Sequence, residues 1–391
     1  MFSLGKKEIM GLAVDIGTSS ITAVVFTAPN CLPTSKPCIK NVYRASLDMP
    51  RKPRAETLER QITTQLRDLL KTIRASLKKN PDFAYVGLSA PFYISRLITL
   101  TSTRPKASAP ITKEEILTLI KKGEKSFTEE YISPKENLKL HLFGSTLLKT
   151  IINGYRIPEI VGATGKTLTL FVRYETTAKK YINELYDLFA PLVSEKKLHI
   201  TSLPTACFYA IGSAIPFKEG LVHVDIGGEI SEISIIYDDV LEKIITIPLG
   251  NASLARKVSE YFNVSFKEGE SLLRQFSKEV LDSKKSENIA AITNHHVREW
   301  CVALSAALTT YAKENDIPSN IVLSGGGAFL KAYRQSFSSE LLHKTHTSET
   351  PHITIADPKL FQNEFSAMST LTGPRDFGVT CLALLCSRNI L

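Results

Sequence analysis

The chain has 391 residues, more than one small hydrophobic core usually organises, so two or three structural units are expected. Its composition, 43% hydrophobic and 22% charged, is typical of globular proteins and excludes a disordered or collagen-like chain. Forty-eight lysines and arginines against 39 aspartates and glutamates leave a net charge of +9, which favours an acidic partner. Six cysteines without a C-x-x-C pair exclude a disulfide framework and predict reduced thiols in a cytoplasmic protein.

The first predicted element is a β-hairpin at residues 11–26, with the sequence GLAVDIGTSSITAVVF. A β-rich run ends in Asp15-Ile16-Gly17, small polar residues form the turn, and a second β-branched run leaves it. The turn amides can form an anion-binding nest, and the aspartate can hold Mg²⁺ through carboxylate oxygen. We therefore predict that phosphate is bound by the turn residues Gly17, Thr18, Ser19 and Ser20.

Residues 51–80 carry much of the positive charge. They contain nine basic and three acidic residues, hence a local net charge of +6. An amphipathic helix, docked on a sheet with its cationic face in water, is predicted by the apolar spacing of Leu58, Ile62, Leu66, Leu69, Leu70, Ile73 and Leu77. In the alternative interpretation, the cationic face meets an anionic membrane or an acidic peptide. Nucleic acid is disfavoured because no aromatic residues interleave the basic ones.

An α+β block is predicted after the basic helix. Residues 101–110 form a loop rich in Pro, Ser and Ala, and a helix is predicted over 111–125 with Thr112 as its N-cap. Short strands follow this helix. A second amphipathic helix is predicted over 176–192, through the apolar positions Tyr181, Leu185, Leu188 and Phe189. The block between the hairpin and this second helix reads as an insertion into the first part of the chain.

The first hairpin recurs later in the chain, at residues 220–237, with the sequence GLVHVDIGGEISEISIIY. Asp225 takes the place of Asp15, and Gly227 and Gly228 form the turn. The recurrence predicts two related halves, each opening with the same hairpin. Two such hairpins facing each other would clamp the β- and γ-phosphates of a nucleotide from opposite sides.

A third glycine-rich turn lies within residues 320–330, where an apolar run enters three glycines and a helical pattern follows. Such a turn permits close approach of the backbone to an adenosine and its α-phosphate. We predict that this contact is made by Gly325, Gly326, Gly327 and Ala328. One glycine turn alone is a weak signal, because glycine serves turns of many kinds, but the three motifs in this order are a strong one.

The motifs D-I-G-T-S-S, D-I-G-G and L-S-G-G-G-A resemble the phosphate-1, phosphate-2 and adenosine motifs of the actin-like ATPase superfamily. Within it the chain is most similar to the bacterial FtsA and PilM type, over nearly its whole length. The resemblance implies an α/β, actin-like (ribonuclease H-like) fold of two duplicated halves around a nucleotide cleft, with a small inserted α+β subdomain. It also implies ATP and Mg²⁺ as cofactors, with Asp15 and Asp225 as catalytic and metal-binding carboxylates.

The resemblance further implies an order of units along the chain. These are the first half at 1–83, the inserted subdomain at 84–167, a return to the first half at 168–212, the second half at 213–376 with a reduced subdomain at about 251–300, and a C-terminal helix at 377–391. FtsA proteins generally end in a linker and a membrane helix, which are not seen here. We expect either that a partner supplies the membrane anchor or that this chain lacks its tail.

The second phosphate turn departs from the family pattern at Glu229, which brings a carboxylate beside the expected γ-phosphate. An unpaired like charge at about 4 Å costs roughly 1 to 4 kcal/mol. Glu229 therefore points away, helps to bind metal, or weakens nucleotide binding and slows hydrolysis. In the family a later helix supplies nucleoside contacts, and here it offers Glu270 and Arg274, for which a solvated ion pair is the alternative.

These features predict an FtsA-like cytoskeletal adaptor in cell division. It is expected to bind ATP with weak or no hydrolysis, to self-assemble into filaments, and to work at the cytoplasmic face of the membrane as a peripheral protein. Its partner would be a tubulin-like division protein of the FtsZ type. One alternative is a PilM-like scaffold of the type IV pilus, which binds a peptide of a pilus membrane protein. A second is a small-molecule kinase of the same superfamily, for which we find no signature of a catalytic base.

Overall fold

The computed structural model describes residues 8–29, 36–47, 54–131, 139–215, 220–313, 316–337, 351–368 and 370–388. Residues 1–7 of the expected first half, Arg51 and Lys52 of the basic segment, and the last three residues of the expected C-terminal helix lie outside them. Within the described ranges, no helix is long and apolar enough to cross a membrane.

The first half is built on a five-stranded mixed sheet. Its strands, numbered along the chain, are β1 (Glu8–Ile16), β2 (Ser20–Pro29), β3 (Cys38–Ser46), β4 (Phe83–Leu88) and β9 (Leu198–Ser202). Strands β1 and β2 form the predicted hairpin, whereas β1, β4 and β9 run parallel, in the order β3-β2-β1-β4-β9. Asp15 lies near the carboxyl end of β1, the edge at which open α/β sheets bind ligands.

Helices cover both faces of this sheet. Helices α1 (Ala55–Ser76) and α3 (Lys179–Phe189) bury their apolar stripes with Leu12 and Val14 of β1. Ala13, which points to the opposite face, packs with α4 (Leu203–Ala214) and the C-terminal helix α9 (Phe377–Arg388). The predicted amphipathic helix is confirmed, because six of its apolar positions are buried: Leu58, Ile62, Leu66, Leu69, Leu70 and Ile73.

The inserted block forms a four-stranded antiparallel sheet backed by one helix. It contains β5 (Ile94–Thr103), α2 (Lys113–Tyr131), β6 (Leu140–Ile152), β7 (Tyr155–Arg156) and β8 (Thr167–Ala178), with the strand order β5-β8-β6-β7. The Glu115 amide donates to Thr112 Oγ1 at 3.2 Å, which confirms the predicted cap. The helix predicted from 176 begins at Lys179, because residues 176–178 still pair with β6. Strand β8 thus belongs to the inserted sheet although most of it lies beyond the expected boundary at 167.

The second half repeats the first sheet strand for strand. Its strands are β10 (Leu221–Ile226), β11 (Ser231–Tyr237), β12 (Val240–Ile247), β13 (Asn320–Ser324) and β14 (His352–Ile355), in the order β12-β11-β10-β13-β14. Helices α5 (Asn251–Phe262), α6 (Phe266–Ser277), α7 (Ser283–Ala312) and α8 (Lys331–Ser336) pack around the buried Trp300. The matching order confirms the duplication predicted from the two hairpins.

The inserted sheet also contacts the second half. The β11–β12 turn is formed by Asp238 and Asp239, both with left-handed backbone angles, φ 50° and 56°. Lys149 of β6 forms an ion pair with Asp238, and Arg156 Nη1 lies 2.8 Å from Asp239 Oδ2. Arg173 of β8 is buried and donates to the Leu241 carbonyl. The insertion therefore contacts the second half through these polar groups and through β5 and β6, which lie against β12.

Candidate functional site

A cavity of about 500 Å³ lies between the two halves. Its wall is formed by both D-I-G turns, the glycine turn after β13, helix α6 and the loop before α9. The predicted site residues on this wall are Asp15, Gly17, Thr18, Ser19, Ser20, Asp225, Gly227, Gly228, Glu270, Arg274, Gly325 and Gly326. The fold therefore gathers the three motifs around one space.

Three predicted nucleotide-binding residues, Glu229, Gly327 and Ala328, are not on the cavity wall. Gly327 packs against β10, where an added Cβ would lie 2.3 Å from Ile226 Cγ2. Ala328 is 1% exposed and belongs to the core of the second half. At these two positions a small residue lets the turn pack against the strand, which is a structural reason for the motif.

The carboxylate of Glu229 is paired with Arg256 on α5. Arg256 Nη1 donates to Glu229 Oε1 at 2.6 Å and Nη2 donates to Oε2, a two-point geometry that is strong for this pair of groups. Each side chain is 12% exposed. Of the three outcomes left open by the sequence, the structure has the first, in which Glu229 points away from the cavity. Sequence reasoning missed Arg256, because only the fold brings α5 beside the turn.

The two D-I-G turns touch each other across the cleft. The Glu229 amide donates to Thr18 Oγ1 at 2.9 Å, and Thr18 is almost completely buried. A Cβ on Gly228 would lie 2.4 Å from Ser19 Cβ, so only glycine permits this approach. The Glu229 amide and the Thr18 hydroxyl, two groups that could bind a phosphate, are thus hydrogen-bonded to each other.

The two motif aspartates are both half-buried on the cavity wall but differ in their partners. Asp225 Oδ1 accepts a hydrogen bond of 2.6 Å from Ser324 Oγ, its neighbour on β13. At the equivalent place beside Asp15, strand β4 carries Gly87, and Asp15 Oδ1 has no hydrogen-bond partner among the described residues. Burial raises the pKa of both aspartates, and the charge of Asp225 raises that of Asp15 further. A bound cation would therefore stabilise the charged form of Asp15 more than that of Asp225, because Asp15 Oδ1 has no other partner within the described ranges.

Glu232 is a third carboxylate on the cavity wall, and sequence reasoning missed it. It lies directly opposite Asp225 in the β10–β11 pairing and accepts a hydrogen bond of 2.5 Å from the Tyr93 hydroxyl of the inserted block. Burial raises the pKa of Glu232 to about 7, and the charge of Asp225 acts in the same direction. Aligning the two hairpins could have identified Glu232, because the equivalent residue of the first hairpin, opposite Asp15, is the uncharged Thr22.

Cationic side chains also reach the wall, namely Arg44, Arg274, Lys278 and Arg375. Only Arg274 was predicted, because the other three carry no motif. Arg44 Nη2 donates to Asp376 Oδ1 at 2.7 Å, which neutralises a buried carboxylate just before α9. Cations in a partly enclosed cleft favour an anionic ligand.

The acidic part of the wall fits a magnesium ion that is shared with a phosphate. Magnesium is usually held by one or two carboxylates together with phosphate oxygens and water. Asp15 Oδ1 is buried and has no partner among the described residues. The charge of Asp225 raises the pKa of Asp15, so the two carboxylates are close enough to interact. Across the part of the chain that the structure describes, no group of three or more acidic, histidine or cysteine side chains forms a metal site alone. The residues present therefore suit a metal bound together with a nucleotide.

Comparison with known proteins gives matches among solved structures only. No protein-family model and no curated protein matches the chain. The structure of the PilM–PilN type IV pilus biogenesis complex matches with a TM-score of 0.66 and 16% identity, over 96% of this chain and 98% of that one. MreB 5 of Spiroplasma citri bound to AMPPNP matches with a TM-score of 0.48 and 12% identity, over 98% of each chain. The MamK double helical filament matches with a TM-score of 0.48 and 10% identity, over 97% and 98%.

The chain has the actin-like ATPase fold. The first of these matches carries the conclusion, together with the duplicated sheets and the cleft between them. At 16% identity the match establishes the fold and leaves the activity to the site.

Proposed function

We propose that the protein binds ATP with Mg²⁺ in this cleft and acts as an adaptor whose nucleotide state controls its assembly with a membrane-associated partner. The observation that carries the proposal is the pair of D-I-G turns facing each other on one cavity wall, with the unpartnered carboxylate of Asp15 beside them. A phosphate chain needs amide and hydroxyl donors, and a bound cation needs a carboxylate, and this wall supplies both.

In this proposal, Asp15 and Asp225 hold Mg²⁺, which supplies charge neutralisation at the phosphates. The β- and γ-phosphates would be held by the amides and hydroxyls of the two turns, whose residues line the cavity: Gly17, Thr18, Ser19, Ser20, Gly227 and Gly228. Gly325, Gly326, Glu270 and Arg274 line the same cavity, and there they would contact the nucleoside. The paired state of Glu229 supports binding, because no free carboxylate of that turn opposes the phosphates.

We expect binding to dominate over rapid hydrolysis. The contact between Thr18 and the Glu229 amide must open before a γ-phosphate can use either group. Closure of the turns on each other thus competes with closure on a nucleotide. This competition suits a protein that changes state with nucleotide better than one that turns ATP over quickly.

For the partner, we propose a short cytoplasmic segment of a pilus membrane protein. The fold match to the PilM–PilN complex, with a TM-score of 0.66, supports this PilM-like role. The second candidate is the FtsA-like role in division, supported by the inserted α+β subdomain between β4 and α3. Both roles place the protein at the cytoplasmic face of a membrane, and both allow self-assembly.

Contact with the membrane surface is proposed for the cationic face of α1. Arg60, Arg67, Lys71 and Arg74 are exposed and follow each other at intervals of seven, four and three residues, which places them along one stripe. Each cation near an anionic surface adds about 1 kcal/mol of attraction. The stripe has no exposed large apolar residue, so the contact would be electrostatic and sensitive to salt.

Three measurements test the proposal. Isothermal titration of the purified protein with ATP, in Mg²⁺, should give one site per chain, and absence of binding at millimolar ATP would refute the nucleotide claim. Co-purification with a pilus membrane protein supports the PilM-like role, and co-purification with a tubulin-like division protein supports the FtsA-like role. Failure of both, with phosphate release on addition of a sugar, would replace them with the kinase.

A further inference from the structure

Buried His223, buried Ser324 and half-buried Asp225, on two neighbouring strands of the second half, form a hydrogen-bonded chain. His223 Nε2 lies 2.8 Å from Ser324 Oγ, and Ser324 Oγ donates to Asp225 Oδ1 at 2.6 Å. His223 is 3% exposed and Ser324 is 1% exposed. The chain ends on one of the two carboxylates proposed to hold the metal.

The direction of the hydrogen bonds follows from proton counting. A serine hydroxyl has one hydrogen, and because Ser324 gives it to Asp225, its oxygen accepts from His223 Nε2–H. Ser324 donates to the carboxylate and not to the imidazole, which excludes the arrangement of a serine nucleophile activated by histidine.

The duplicated fold supplies an internal control. In the strand registers, Asp225 pairs with Ser324 just as Asp15 pairs with Gly87, so Gly87 stands where Ser324 does. Two residues before each aspartate, the first half has Ala13 and the second has His223. The first half forms the same hairpin and the same sheet without either polar group. The fold therefore does not require the chain of hydrogen bonds.

We propose that Ser324 and His223 are positioning residues that hold Asp225 in one orientation for the metal-bound nucleotide. Ser324 occupies Oδ1 and leaves Oδ2 for the ligand, while His223 fixes the hydroxyl in the orientation that donates. This inference rests on the proposed nucleotide function. It also assigns different roles to the two aspartates. Asp225 is oriented by Ser324 before the ligand binds, whereas Asp15 gains a partner only when the metal-bound nucleotide is present.

The test is isothermal titration of the full chain with ATP, once in Mg²⁺ and once in EDTA. Ser324→Ala should weaken binding in Mg²⁺ by about tenfold, the scale on which partners of metal ligands act, and should change binding in EDTA by less than about twofold. Ser324→Thr keeps the hydroxyl and should restore affinity in Mg²⁺. His223→Phe should weaken binding in Mg²⁺ alone, and should add nothing to the loss already caused by Ser324→Ala, because His223 acts through Ser324.

Ser387→Ala is the matched control, since Ser387 is also a buried serine, but its hydroxyl donates within α9, to the Leu384 carbonyl. It should leave both affinities unchanged. Equal losses in Mg²⁺ and EDTA, additive losses in the double variant, or unchanged binding by Ser324→Ala would each overturn the positioning role. If the unaltered protein binds no ATP, the proposed function itself fails and the positioning role falls with it, an outcome distinct from the other three.

Discussion

Arg256 and Glu229 form a two-point ion pair that turns the Glu229 carboxylate away from the cavity. The pair lies at the back of the second D-I-G turn, where both side chains are largely buried. A charge placed there without a partner would be costly to the fold and unfavourable to an anionic ligand. Arg256 is thus the residue that makes Glu229 compatible with a phosphate.

Replacing Arg256 by glutamine should lower the free energy of unfolding by roughly 3 kcal/mol, because it leaves Glu229 unpaired. Affinity for Mg-ATP should fall at least about tenfold, since the freed carboxylate repels the phosphates. Urea unfolding and calorimetric titration measure the two effects, and Glu229→Gln in the same chain should recover most of both. Lys257→Gln is the control, because Lys257 pairs with Glu299 near the surface and should cost little. An Arg256→Gln variant with unchanged affinity would show that the pair has no part in ligand binding.

Glu232 gives a prediction about pH. Its pKa is raised to about 7 in the folded protein, against an ordinary value of 4.5, so the folded state holds this proton more tightly than the unfolded state does. Its contribution to stability is therefore greatest below pH 4.5 and is lost as pH rises towards about 7. Glu232→Gln removes this loss and should stabilise the protein at pH 8 by up to about 3 kcal/mol, with little gain at pH 5.

Urea unfolding at pH 5 and pH 8 measures this difference between the unaltered protein and the variant. Glutamine can still accept the Tyr93 hydrogen bond, so the comparison isolates the charge. Glu287→Gln, at an exposed position of α7, should show no such dependence. A gain of equal size at both pH values would contradict the explanation from burial.

Asp15→Asn tests the unpartnered carboxylate. The asparagine carries no charge, so the cost of burying a carboxylate and its repulsion from Asp225 both disappear. The melting temperature without ligand should therefore rise. The increase in melting temperature caused by Mg-ATP should disappear, because the metal loses its carboxylate. A thermal-shift assay with and without Mg-ATP shows both, and Asp187→Asn on the exposed side of α3 serves as the control. A variant that is still stabilised by Mg-ATP to the full extent would count against Asp15 as a metal ligand.

The contact between the insertion and the second half can be weakened without altering the backbone. Asn tolerates the left-handed angles of Asp238 and Asp239, so the double change to asparagine removes only the charges facing Lys149 and Arg156. Global stability should change by less than about 1 kcal/mol, because the aspartates are half exposed or more. Hydrogen exchange in β6 and β7 should become faster. Unchanged exchange there would show that these ion pairs do not hold the insertion against the second half.

The cationic stripe of α1 is tested with lipid vesicles. The protein should sediment with vesicles that contain phosphatidylglycerol, less so at high salt, and not with phosphatidylcholine alone. The triple change of Arg60, Arg67 and Arg74 to glutamine should abolish this sedimentation. The matched control changes three exposed lysines of α2, Lys113, Lys121 and Lys122, and should retain it. If both triple variants lose binding equally, overall charge and not this stripe attracts the protein.

The local elements followed from the apolar patterns of the sequence. The apolar stripe of α1 and the β-rich apolar runs of β1 and β10 each predicted one element, and the structure has all three. The recurrence of D-I-G indicated the duplication, and the strand order bears it out. The helix predicted from residue 176 begins three residues later, because Thr176 and Thr177 pair with β6, a long-range contact that no helical periodicity reveals.

The sequence by itself determined the two D-I-G hairpins and the glycine turn, because turn chemistry and strand periodicity are local properties, and the resemblance to the actin-like ATPases implied that the three motifs serve one cleft. Only the tertiary structure decided how the charges of that cleft are arranged. Arg256 reaches Glu229, Ser324 reaches Asp225, and Asp15 is left without a partner, through contacts between segments distant in the chain. Such contacts depend on which strands become neighbours, and a buried charge is costly or harmless according to a partner that no local pattern identifies.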